Sequence, residues 1–151
     1  FLACPILRAY QLGGVNAVIT EIVMPLKNGR MKKTDLYWLA GLLEGEGCFD
    51  FHYKNRNTGR GTPRIQLNMT DHDTVRRAAD LMGKTYVGTY PPAPQAHKLQ
   101  HRFSICGDSA LRFMKLLYPL MSSRRRQQID TSIKLADQRP STRRDLLGRY
   151  A

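Results

Sequence analysis

From Cys48 to Lys54 the chain alternates without a break, with Phe49, Phe51 and Tyr53 on one side and Asp50, His52 and Lys54 on the other. Successive side chains of an extended strand point to opposite faces, so this segment predicts a strand with one buried and one open face. A second alternation sets Ile65, Leu67 and Met69 inward and Arg64, Gln66 and Asn68 outward. A weaker third strand covers Lys84 to Tyr90. A fourth, from Lys98 to Cys106, turns Phe103 and Ile105 inward and Gln100, Arg102 and Ser104 outward. Asn55 to Pro63 is rich in Asn, Gly and Arg and reads as a loop. The run Pro91-Pro92-Ala93-Pro94 cannot sit inside a ladder and must be a connection.

Between the strands the period changes. Leu36, Leu39, Ala40, Leu42 and Leu43 recur at helical spacing, with Thr34 as the expected N-cap and Asp35 in the first turn, where an anion suits the dipole. Asp71 or Asp73 can cap a helix from about Thr74 to Met82, which Gly83 closes. Asp108 or Ser109 opens a third, with Leu111, Phe113, Met114, Leu116 and Leu117 on one side. After Pro119 a last helix, from about Ser123 to Ala136, carries Arg124, Arg125 and Arg126. The order is helix, two strands, helix, two strands, two helices: an α+β domain on one four-stranded antiparallel sheet. Residues 1–30, broken by Gly13-Gly14 and Met24-Pro25, show no sustained period and read as an N-terminal extension. The domain is expected over 31–138, with a basic tail over 139–151.

Charge narrows the function. Lys and Arg number 24 against 12 Asp and Glu, a formal net charge of +12. Such an excess favours polyanions, and nucleic acid first, because displacing counterions from phosphates drives binding. A membrane surface would suit the charge, but no basic amphipathic helix has a wholly apolar side, and no apolar run is long enough to span a bilayer. Arg8, Glu21 and Lys27 interrupt the apolar stretches of residues 1–30, unlike a secretory signal. Cys4, Cys48 and Cys106 are odd in number and widely spaced, which argues against a disulfide framework or zinc ribbon. Each is expected to be a small buried hydrophobe in a reducing, intracellular, DNA-containing compartment. His97 and His101 flank a strand rather than sharing a helix face, so they are a poor zinc pair.

The end of the first helix carries the chemistry. Ala40, Gly41 and Gly45 would let a second helix approach at backbone contact, while Glu44 and Glu46 put negative charge where the dipole opposes it. A divalent cation resolves that conflict, and oxygen-only ligands select Mg²⁺ over zinc. The bland alternative is a helix end with two solvated acids.

The nine residues Leu39-Ala40-Gly41-Leu42-Leu43-Glu44-Gly45-Glu46-Gly47 resemble the signature of the LAGLIDADG homing endonucleases. Leu39, Ala40, Gly41, Leu42 and Gly47 match identically, and Glu stands at both acidic positions. The resemblance spans roughly Asp35 to Ala136. It implies a sheet that saddles DNA and a homodimer, because one motif supplies only half of a catalytic centre. Leu39, Ala40, Gly41, Leu43 and Glu44 would then form the dimer interface. It further implies that Glu46 binds Mg²⁺ with help from the Gly45 carbonyl, that Asp71 orders the attacking water, and that Arg124 and, more weakly, Arg76 contact phosphate. The outward residues Asp50, His52, Lys54, Arg64, Gln66, Asn68, Gln100 and Arg102 would read the bases, since Arg, Gln and Asn match major-groove edges. The expectation is a Mg²⁺-dependent, site-specific nuclease of double-stranded DNA that mobilises an intron or similar element, with no small-molecule substrate. The alternatives are a non-cleaving relative, such as an RNA maturase or DNA-binding regulator, and a structural ribonucleoprotein component.

Overall fold

The computed structural model describes residues 25–26, 29–55, 57, 59–92 and 98–138. Two short strands, β1 (Pro25–Leu26) and β2 (Gly29–Arg30), pair with each other inside the segment expected to lack a pattern. The expected order then follows: α1 (Lys33–Glu46), β3 (Gly47–Asn55), β4 (Arg60–Met69), α2 (His72–Leu81), β5 (Gly88–Tyr90), β6 (Gln100–Cys106), α3 (Asp108–Leu117), a 3-10 turn (Tyr118–Leu120) and α4 (Ser123–Asp137). Strands β3 to β6 form one antiparallel sheet in the order β3-β4-β6-β5.

The sheet follows the alternation in the sequence. Phe49, Ile65, Leu67, Phe103 and Ile105 turn to one face and join Leu36, Leu39, Leu43, Val75, Met114, Leu117 and Ile129 in a single core. All four helices contribute to that core, so they lie on one side and the opposite face of the sheet stays open. Along β3 the burial fades: Phe49 is buried, Phe51 half-buried and Tyr53 exposed, and the Phe51 and Tyr53 rings meet edge to face at 5.0 Å.

Several boundaries differ from expectation. Helix α1 begins at Lys33 with Lys32 as N-cap, and Thr34 lies inside the helix; Leu36 N–H donates to the Lys32 carbonyl at 3.0 Å, so the helix starts before the residue suited to cap it. Arg60 to Pro63, expected in a loop, extend β4, because pairing of Gly61, Thr62 and Pro63 with Tyr53, His52 and Phe51 overrides their weak strand preference. The third strand shrinks to Gly88–Tyr90. Gly83 closes α2 at φ +72°, a conformation only glycine adopts cheaply. Pro94 and His97 lie outside the described residues.

Candidate active site and nucleic-acid interface

Helix α1 runs directly into β3 with no loop. Gly47 makes the joint, and its backbone is extended (φ −72°) rather than left-handed. Glycine is required there by space: a Cβ would lie 2.6 Å from the Leu43 carbonyl oxygen. The last residue of the helix, Glu46, is thereby set on the surface where helix and sheet meet.

The two motif acids have opposite environments. Glu44 accepts from Ser122 Oγ at 2.6 Å and from Ser122 N–H at 3.0 Å. Ser122 is the N-cap of α4 and makes no capping bond within its own helix, so Glu44 supplies the anion that this helix start lacks. The Ser122 hydroxyl foremost, then its amide and the charges of Arg125 and Arg124, hold the Glu44 carboxyl below the ordinary range against a smaller opposing effect of burial. Arg125, only 5% exposed, returns the favour to α1. Its Nε donates to the Glu44 carbonyl at 2.9 Å, one Nη to the Gly45 carbonyl at 3.3 Å and the other to Gln128 at 3.0 Å. The negative end of α1 is thus clasped to the positive end of α4. Glu46, by contrast, is exposed and takes no hydrogen bond or ion pair among the described residues.

The expected interface and catalytic residues have different surroundings. Leu39, Ala40 and Leu43 are 0–4% exposed and lie in the chain's own core. Glu44 packs onto the same chain's α4. Of the five expected interface residues only Gly41 faces outward, and a Cβ at Gly41 or Gly45 would meet nothing within 4 Å. The open side of α1 is Tyr37, Gly41 and Gly45, flanked by half-buried Trp38 and Leu42. Asp71 caps α2, accepting from Thr74 N–H at 3.1 Å and from the Thr74 hydroxyl, and those bonds, the hydroxyl's first, lower its pKa. Arg76 pairs with Asp80 at 2.6 Å and donates to the Thr85 carbonyl at 2.7 Å, which ties α2 to the segment before β5. Arg124 is exposed in the first turn of α4, where the dipole opposes a cation, and is available to an anion. Its neighbour Arg126 is committed to the Tyr118 and Pro119 carbonyls at 3.1 and 3.0 Å.

Seven of the eight expected base readers fall on the open face of the sheet. Rows run across it from Asp50 through Arg64 to Cys106, and from Asn68 through Arg102 to Gly88; His52, Gln66 and Gln100 share the same parity, while Lys54 is exposed at the irregularity between Tyr53 and Asn55, where the register shifts. Cys48 and Cys106 lie on this face and are exposed, against the expectation that they would be buried; Cys4 is outside the described residues. Partial burial foremost raises the pKa of the Cys48 thiol. Arg102 stacks on the Tyr90 ring at 4.2 Å, and its Nε is buried without an acceptor among the described residues. Gly88 makes that possible, since a Cβ there would lie 2.8 Å from the ring of Tyr90.

Sequence reasoning missed Arg125 and Tyr90. The basic run gave no sign of which arginine turns inward, and Tyr90 shares its parity with Gly88, which carries no side chain.

The chain matches no protein-family model and no curated protein. Solved structures do match. The homing endonuclease I-CvuI, in complex with I-CreI target DNA, superposes with a TM-score of 0.54 at 16% identity, over 73% of this chain and 70% of that one. An archaeal intron-encoded homing endonuclease, I-Vdi141I complexed with DNA, gives 0.54 at 14% identity, over 72% of each. The chain has a homing-endonuclease fold. A third structure, the group I intron-encoded I-CeuI complexed with DNA, agrees at 0.51 and 12% identity, over 88% of this chain and 70% of that one. The likeness at these identities is one of fold, the LAGLIDADG fold that the nine-residue motif implied.

Proposed function

We propose that this protein is a homodimeric, Mg²⁺-dependent endonuclease that makes site-specific double-strand breaks in a pseudo-palindromic DNA site and serves a mobile intron or similar element inside the cell. The observation that carries the reading is the division between the motif acids. Glu44 is consumed in holding α1 to α4, whereas Glu46 is left exposed and without a partner among the described residues. A carboxylate presented at the dipole's negative end is poor design for stability and good design for a cation.

The residues present fit a hard cation in part. Glu46 and the Gly45 carbonyl are oxygen donors, but the Gly45 oxygen already accepts from Arg125, and no cluster of three acidic, His or Cys ligands occurs among the described residues. One carboxylate per chain suits Mg²⁺, which keeps waters and takes its other ligands from substrate phosphates. When bound, the ion would supply charge neutralisation at the scissile phosphate and a more acidic attacking water. The open side of α1, with Gly41 and Gly45 bare, is the surface on which a second α1 would bring a second Glu46 alongside. Arg124 would grip phosphate, and the open sheet face would lie in the major groove.

One observation favours a second reading. Asp71 and Arg76 are both engaged in holding α2. A non-cleaving relative, an RNA maturase or a DNA-binding regulator, would need neither for chemistry.

Incubation of a randomised duplex library with the full chain separates the two. Cuts at one pseudo-palindromic sequence with Mg²⁺, absent with Ca²⁺ and absent for Glu46→Gln, are expected. Sequence-selective binding without cuts under every condition would establish the second reading instead.

A further inference from the structure

Arg64 lies in the middle of β4, level with Asp50 on β3 and Cys106 on β6. Its Nε donates to Asp50 Oδ1 at 2.9 Å and its Nη2 to Asp50 Oδ2 at 2.6 Å. A guanidinium carries five N–H donors and can fork two acceptors along either of two edges, the side (Nε and Nη2) or the end (Nη1 and Nη2). Asp50 takes the side edge whole. The end edge keeps both hydrogens of Nη1 and one of Nη2, and no described residue accepts from Nη1. With 24% of its side chain exposed, Arg64 is reachable from the open face of the sheet.

Such a pair is badly suited to phosphate, because the carboxylate offsets the charge that counterion release depends on. It is well suited to a base edge. What remains is direction: two parallel donors held at a fixed angle by a rigid partner. Guanine offers O6 and N7 as adjacent acceptors in the major groove, whereas adenine sets an N6 donor against the same fork. Arg102 on the next strand differs: it is stacked on Tyr90, with no carboxylate partner among the described residues.

Resting on the endonuclease reading, we propose that Arg64 reads one guanine in each half-site through its end edge, and that Asp50 is a positioning residue for Arg64 rather than a DNA contact.

The test is selection from a randomised duplex library by the full chain in Ca²⁺, followed by sequencing, for the wild type, Arg64→Ala, Arg64→Lys and Asp50→Asn. The wild type should enrich guanine at one symmetric position. Both Arg64 variants should lose that preference by about 5- to 150-fold, the worth of one bidentate pair, and keep the preferences elsewhere. Arg64→Lys keeps the charge and the contact with Asp50, so it serves if the alanine variant melts early. Asp50→Asn should weaken the same guanine preference and steepen the salt dependence by about one charge. A wild type that selects a sequence, with that guanine retained in both Arg64 variants, would overturn this proposal and leave the endonuclease reading standing. A guanine preference and salt slope unchanged by Asp50→Asn would overturn the role of Asp50. A wild type that binds without any sequence preference would overturn the endonuclease reading, and this proposal with it.

Discussion

Helix α1 has two sides of opposite character. Its inward side, Leu36, Leu39, Ala40 and Leu43, is sealed in the core, while its outward side, Tyr37, Gly41 and Gly45, faces open space. An isolated helix has no reason to carry glycines on its exposed face, where each costs about 1 kcal/mol relative to alanine. The same nine residues thus hold a device for folding the chain and, in the proposed dimer, the bare surface on which a second helix would sit, and substitutions can pull the two apart.

The largest effect is expected on the inward side. Leu43→Ala should destabilise the chain by about 2–5 kcal/mol through the lost burial and the cavity left behind. Urea denaturation would show it as a lower midpoint with an unchanged slope. Next comes the clasp that joins both sides to α4. Arg125→Met keeps the volume but leaves the Glu44 and Gly45 carbonyls without their donor, at a cost of about 1–3 kcal/mol. It should also blunt activity by letting Glu46 wander. On the outward side the sign reverses: Gly41→Ala should stabilise the folded chain by about 0.5–1 kcal/mol, because its Cβ meets nothing, while weakening self-association. An equal loss of stability at Gly41 and Leu43 would erase the distinction.

The smallest effect is one of pH. Folding lowers the Glu44 pKa beneath its ordinary 4.5, so its contribution is fully present above that value and is lost as pH falls through the lowered one. A pH titration of stability should therefore show a loss on the acid side of 4.5 that Glu44→Gln does not share.

Much of this is legible in the sequence alone. The alternations at Phe49–Tyr53 and Arg64–Met69 set the sheet's two faces correctly, because period two follows from the geometry of an extended chain. Helix partners were harder. The spacing of Leu39, Ala40 and Leu43 announces an apolar side, but whether that side meets the same chain or another is not written in a local pattern. Arg125 was invisible for a related reason: three arginines in a row look alike, and only the turn of α4 decides that the middle one points at α1. Asp71 was legible as a cap, and its bonds to Thr74 make that cap.

In the proposed function, one motif per chain means two chains per site, meeting on the outward side of α1. The mass of the complex on a selected duplex in Ca²⁺, by native mass spectrometry, tests it most directly. Two chains per duplex are expected, falling to one for Gly41→Leu at the same concentration. A saturated complex holding a single wild-type chain would contradict it.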